Sequence, residues 1–182
     1  ALNCVTNSHL MRYTLFDDIA IQPASGDAGA SLGAAALIER PLWESAFLGY
    51  EDYEHISADE AADKIIKGDI IPIIHGRAEF GPRALGNRSL LCAPINGTIN
   101  RLNKIKGREN DSWRPYAPIV QDKEANDFFT IYKNCPNMLF VADINENSNF
   151  KTYDKTARLQ HVTGSQAYLY KVLEITRQYG FP

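Results

Sequence analysis

The sequence is poor in the residues that announce a special chemistry. Its three cysteines, Cys4, Cys92 and Cys135, lie far apart with no CxxC spacing. That argues against a disulfide framework or a cysteine-type zinc site, and a reduced, cytoplasmic setting fits best. The four histidines belong to no Ser-His-Asp or Cys-His set. No apolar run approaches the roughly 20 residues of a membrane helix, so no membrane partner is expected. Nine prolines and twelve glycines are too few and too scattered for collagen or a flexible linker, and neither a repeat period nor a low-complexity tract is present. What remains is 182 residues, 45% apolar and 23% charged, the composition of about one to one and a half globular domains.

The net charge is only -3, but it is unevenly spread. Arg77 to Arg114 holds eight Lys/Arg against three Asp/Glu, while the rest of the chain holds eleven against nineteen. A basic island in an acidic chain is a poor footprint for nucleic acid, which usually raises the charge of a whole domain. It suits a confined pocket for a small anion. The chain opens Ala1-Leu2-Asn3-Cys4-Val5, without Met or signal peptide and apolar at once, as if a strand were entered midway. Phe181-Pro182 leads onward from the last helix. Both ends are expected to be cuts through a longer protein.

Alternating Ile19 and Ile21 predict a strand over Phe16 to Gln22, followed by a turn at Pro23 to Gly26. Asp27 to Ile38 reads as a helix that Pro41 ends. Residues 42 to 56 hold aromatics in no clear period and mark the expected domain junction. Ser57 and Glu60 form a capping box for a helix that stops at Gly68. Ile70 to Ile74 reads as a strand that Pro72 restricts to an edge or bulge. Further strands are expected at Leu90 to Ala93, Ile119 to Val120 and Met138 to Ile144. Helices are expected from Thr98 to Lys106, with Ile99, Leu102 and Ile105 on one face, from Asp122 to Phe129, and from Ala167 to Tyr179. Helices and strands interleave, which predicts an α/β or α+β architecture.

The chemical signal is Gly76-Arg77-Ala78-Glu79-Phe80-Gly81-Pro82-Arg83-Ala84-Leu85-Gly86-Asn87-Arg88-Ser89. Glycines let backbone approach a ligand and present N–H groups to an anion. Three arginines so close together repel one another unless something negative lies among them, and Arg is suited to bidentate phosphate recognition. The bland reading is a solvated loop in which Glu79 pairs one arginine; the rigid Gly-Pro framing favours an anion site. Lys104 to Glu109 and Trp113-Arg114-Pro115 form a second basic cluster. Lys104 suits the helix dipole, and Trp113 is expected in the core. His75 and His161 are read as structural, with His161 the better outside candidate, and Cys92 and Cys135 as buried filler.

Taken together, Gly-Arg-x-Glu-Phe-Gly-Pro-Arg-Ala-Leu-Gly-Asn-Arg-Ser, then Asn103-x-Ile105-Lys106-x-Arg108-Glu109, then Trp113-Arg114-Pro115-x-Ala117-Pro118, resemble the carbamoyltransferases of the nodulation-protein and antibiotic-tailoring type. Ala1-Leu2-Asn3-Cys4, Gln22-Pro23-Ala24-Ser25-Gly26-Asp27-Ala28-Gly29 and Thr156-Ala157-Arg158-Leu159-Gln160 extend the resemblance over nearly the whole chain. It implies residues 1–54 as the tail of an actin-like carbamoyl-transfer domain and 55–182 as a sheet-rich domain that forms carbamoyl-adenylate, lacking its last Asn-Thr-Ser-Phe-Asn segment.

The resemblance further implies carbamoyl phosphate, ATP and a hydroxylated small-molecule acceptor as partners, together with a divalent metal, Fe or Mg. Arg83, Lys106 and Arg114 would converge as catalytic cations. Arg77, Arg88 and Arg158 would complete substrate binding, with Arg77, Arg88 and Arg108 also orienting the loop or pairing with Glu79 and Glu109. Asn3, Gly26 and Gly29 would admit nucleotide, and Asp27 would be a metal ligand rather than only a first-turn acid. Dense positive charge, not a side-chain nucleophile, is what such a condensation needs. An unfinished sheet edge predicts self-association, as in a homodimer, or disorder near Gly164 to Pro182. This stretch alone is expected to be catalytically silent. The alternative is a non-catalytic module for phosphorylated ligands, nucleotides or RNA. Against RNA, the aromatics cluster at Trp43 to Tyr53 and Phe128 to Tyr132, away from the basic loop.

Overall fold

A computed structural model describes residues 1–13, 16–40, 42–52, 56–95, 97–109, 116–146, 148, 150 and 155–182. Along the chain the elements are α1 (Cys4–Tyr13), α2 (Asp27–Ala36), β1 (Glu51–Asp52), α3 (Ala58–Ile66), β2 (Ile71–Ile74), β3 (Gly76–Arg77), β4 (Arg88–Leu91), α4 (Thr98–Ile105), β5 (Ile119–Gln121), α5 (Ala125–Phe128), β6 (Phe129–Thr130), β7 (Val141–Ile144), β8 (Thr156–Arg158), β9 (Gln160–Val162) and α6 (Ala167–Arg177). Among the described residues the strands form four small sheets: antiparallel β1-β3 and β2-β4, parallel β5-β9, and antiparallel β6-β7-β8. The architecture is mixed α/β. Among the described residues no helix is long and apolar enough to cross a membrane.

Local signals account for several elements. Ser57 Oγ accepts the Glu60 N–H at 3.1 Å, and α3 buries Ala61, Ala62 and Ile65 against Ile71 and Ile73 of β2 and Val172 of α6. Pro72 points outward from β2, which pairs on one side with β4 (Pro72 opposite Leu90). Among the described residues the missing proline N–H therefore interrupts no second ladder. Helix α6 ends at Arg177, and the turn that follows closes at Gly180, φ +86°, where Phe181 N–H returns to the Thr176 carbonyl at 3.1 Å. The segment expected to be disordered therefore carries a capped helix.

Other expectations are corrected. The chain does not open on a strand. Asn3 is an N-cap, its Oδ1 accepting Thr6 N–H at 3.0 Å, and α1 follows. This helix is docked by polar groups: Asn7 Nδ2 donates to the Leu139 carbonyl at 2.9 Å, Val141 N–H donates to Ser8 Oγ at 2.8 Å, and Arg12 pairs with Asp143 at 2.8 Å. Phe16 to Gln22 is irregular. The strand expected over Met138 to Ile144 is confined to β7, because Met138 takes a left-handed φ of +54°. The strand expected from Leu90 begins at Arg88. On α4 only Leu102 of the expected apolar stripe is buried; Ile99 and Ile105 are 51% and 61% exposed. The proposed junction near residue 54 and the Trp113-Arg114-Pro115 segment lie outside the described residues.

Candidate functional site

The loop between β3 and β4 is organised by Glu79. Its Oε1 accepts three backbone N–H groups, from Leu85 at 2.7 Å, Asn87 at 2.9 Å and Arg88 at 3.1 Å. The carboxylate thus stands where an anion would stand in a backbone nest, rather than pairing an arginine. Gly86, φ +110°, presses its bare Cα against Leu169 of α6, and a Cβ there would come within 2.4 Å of Leu169 Cδ2. The other flank is zipped to residues 46–50: Phe80 N–H donates to Ala46 O at 2.6 Å and Ala78 N–H to Tyr50 O at 2.8 Å.

The three arginines of the loop have different duties. Arg88 spends its guanidinium on four carbonyls, those of His75, Asn87, Tyr50 and Gly76, at 2.8–3.2 Å. Arg77 donates to the Gly49 and Leu48 carbonyls at 3.3 Å. Both tie the loop to its neighbour. Arg83 is half-buried and donates from Nη2 to the Leu2 carbonyl at 2.9 Å, while its buried Nε meets no acceptor among the described residues.

Arg83 therefore lies beside the amino-terminal segment. Gly81, φ +130°, packs on Pro23 and Ala24, where a Cβ would come within 3.3 Å. Ala24 is fully buried, and the carbonyl of Ala24 leaves no room for a side chain at Gly29, whose Cβ would fall 2.2 Å from it. Leu2 approaches Gly26. The structure thus brings Arg83 next to the turn carrying Gly26 and Gly29, two groups of residues that sequence reasoning assigned to different domains. Asn3 adjoins this cluster with its side-chain oxygen engaged in capping α1.

Lys106 has other neighbours. It follows α4 and lies with Arg101, Arg108, Cys92 and Tyr116; its ammonium is 5.9 Å from the Tyr116 ring centre. Among the described residues no carboxylate pairs with it. Although the side chain is largely exposed, partial loss of hydration and the like charge of Arg108 hold its pKa below the usual lysine value. Burial pushes the Cys92 and Cys135 thiols up, so both stay protonated. Arg83 and Lys106 share no partner among the described residues, and Arg114 lies outside them.

Arg158 ends β8, half-buried and in register with Val141. Two residues on, Gln160 is fully buried and donates from Nε2 to the Leu85 carbonyl at 2.6 Å. His161 is 4% exposed and accepts the Cys135 N–H on Nδ1 at 3.0 Å; burial lowers its pKa, with Asp122 pulling the other way. His75 stacks on Tyr168 at 4.4 Å. His75 Nδ1 and His161 Nε2 are buried and meet no hydrogen-bond partner among the described residues. A cleft of about 510 Å³ runs along the loop, walled by His75, Arg77, Asn87 and, just ahead of α6, Ser165 and Gln166. A cleft of about 610 Å³ between Pro94, Phe128, Phe150 and Phe181 holds none of the candidate residues.

Asp27 opens α2 as an exposed first-turn acid, behind a glycine N-cap. Among the described residues no three His, Cys, Asp or Glu side chains gather as a metal site. The groups present do not by themselves fit a catalytic metal, which needs about three protein ligands.

A family model described as carbamoyltransferase C-terminus matches residues 62–181, and one described as carbamoyltransferase N-terminus matches residues 1–36. Nodulation protein NolNO of Sinorhizobium fredii is 34% identical across 100% of this chain and 32% of its own length. Nodulation protein NolO of Bradyrhizobium diazoefficiens is 34% identical across 90% of this chain and 36% of its own. The 3'-hydroxymethylcephem-O-carbamoyltransferase of Streptomyces clavuligerus is 30% identical across 97% of this chain and 38% of its own. The chain thus spans about a third of the length of these relatives.

Proposed function

The chain belongs to the carbamoyltransferase family, and on that premise we propose that the whole protein is an ATP-dependent O-carbamoyltransferase whose adenylation chemistry resides in residues 55–182. Residues 1–54 would close an actin-like transfer domain. Carbamoyl phosphate would lose its phosphoryl group to water as phosphate. The carbamate oxygen would then attack the α-phosphorus of ATP, forming carbamoyl-adenylate and expelling pyrophosphate. An acceptor hydroxyl, on a sugar or natural product, would take the carbamoyl group and release AMP.

The observation that carries this reading is the Glu79-locked loop, which sets Arg83 on the Leu2 carbonyl while its Gly81 packs on Pro23 and Ala24, at the turn that leads into Gly26 and Gly29. Such a fixed cation can oppose phosphate charge without reorganising during the reaction. Lys106, with no acid partner among the described residues, and Arg114 would supply further charge. Arg77, Arg88 and Arg158 would shape the binding surface around it. Asn3, Gly26 and Gly29 would let nucleotide approach backbone. Asp27 would ligate metal only together with groups outside this chain's described residues. The test is pyrophosphate and phosphate release by the full-length protein. We expect pyrophosphate from ATP only when carbamoyl phosphate is present, with loss in Lys106→Ala. ATP binding without pyrophosphate release would instead support a non-catalytic binding module.

A further inference from the structure

Gln160 does more in the structure than its place as the last residue of a short motif suggests. Its backbone N–H donates to the Pro118 carbonyl at 3.0 Å, where the Trp113 to Pro118 segment ends. Its side chain donates to the Leu85 carbonyl at 2.6 Å, in the middle of the Gly76 to Ser89 loop. Its own strand begins two residues after Arg158. One residue therefore joins the loop that carries Arg83 and Arg88 to the strand that follows Arg158, with Pro118 held alongside. A second amide, Gln166 at the entrance to α6, donates to the same Leu85 carbonyl at 2.9 Å. Leu85 is held at both ends, its N–H by Glu79 and its C=O by two glutamines.

The chemistry of this position argues for a task other than stability. Gln160 is 0% exposed, and because a carbonyl only accepts, its Nε2 must face Leu85. That leaves Oε1 buried with no hydrogen-bond partner among the described residues. A buried amide with half its capacity unmet is a poor way to fill a core, since an apolar side chain of similar volume packs there without that loss. What it provides instead is a directed bond at fixed length between loops distant in sequence.

We propose that Gln160, assisted by Gln166, is a positioning residue that sets the spacing of two basic segments, the loop around Arg83 and the strand around Arg158, for an anion carrying more than one phosphate. This rests on the reading of the basic loop as a phosphate site. The test measures binding of pyrophosphate and of orthophosphate to the full-length protein by calorimetry, in wild type, Gln160→Met and Gln166→Ala, with thermal unfolding of each. Gln160→Met keeps the volume and removes the directed bond. We expect its pyrophosphate affinity to fall roughly tenfold or more, since small misplacements are costly in preorganised sites. Orthophosphate affinity should change little, so the ratio of the two collapses. Gln166→Ala should shift the ratio in the same direction but less. A Gln160→Met protein with an unchanged ratio overturns the proposal, as does wild type that binds neither anion. If wild type prefers pyrophosphate, the variant loses that preference and neither releases pyrophosphate from ATP, the positioning role stands and the adenylation reading falls.

Discussion

The two basic segments on either side of α4 use their charge in opposite ways. Before it, Arg88 has four carbonyl partners and Arg77 two, so the guanidinium groups serve as structural rivets. After it, Lys106 has no acid partner among the described residues, a like-charged neighbour in Arg108 and a partly dehydrated ammonium. The density of cations is similar in the two places, yet Arg77 and Arg88 in the first are spent on carbonyls while Lys106 in the second has no acid partner among the described residues. A run of arginines is therefore a weak guide to where an anion binds; the state of each donor is a better one. Arg83 stands between these cases, with one bond to Leu2 and a buried Nε that meets no partner among the described residues.

Exchanging charge for methyl groups should separate the two classes. The largest effect is expected for Lys106→Ala in the full-length protein: a loss of about 10²–10³-fold in carbamoyl-phosphate-dependent pyrophosphate release. Its thermal unfolding should stay close to wild type, because exposed positions usually change stability by no more than about 0.5 kcal/mol. Next comes Glu79→Ala. Three backbone N–H groups lose one acceptor, which should cost about 2–4 kcal/mol and be visible in chemical denaturation. Gly29→Ala should cost about 1–3 kcal/mol, because the added methyl must push the Ala24 carbonyl out of the turn beside Arg83.

Part of this was legible in the sequence, and the reason varies by element. The Ser57 N-cap and the apolar faces of α3 and α6 are local signals, and the structure follows them, although the Glu60 carboxylate faces Lys64 and the box is only half made among the described residues. Helix α1 is not legible, since Asn7 and Ser8 are polar and become buried only by bonding Leu139 and Val141, more than 130 positions away. Strands β8 and β9, three residues each, are too short to display a period of two. Ile99 and Ile105 have helical spacing but face outward, because spacing names a face and not what lies against it. The loop motif advertised its arginines, while the role of Glu79 as acceptor for its own backbone left no pattern to read. Gln160 left as little to read, one of two polar residues in Leu159-Gln160-His161-Val162.

The smallest expected effect concerns pH and touches neither basic segment. His161 has its pKa lowered in the folded protein by burial, so the unfolded chain takes up its proton first as pH falls. Stability should hold above the ordinary histidine value near 6.5 and decline as pH drops below it, with the decline ending below the folded value. His161→Asn should flatten that part of the curve.

The division of the cations is tested most directly by thermal unfolding and ATP titration of Arg88→Ala and Lys106→Ala, measured side by side in the full-length protein. The account predicts a Tm lower by several degrees for Arg88→Ala, whose four carbonyls lose their donor, and a Tm near wild type with ATP affinity at least ~10-fold weaker for Lys106→Ala. An Arg88→Ala protein as stable as wild type, or a Lys106→Ala protein that unfolds early and still binds ATP normally, would contradict it.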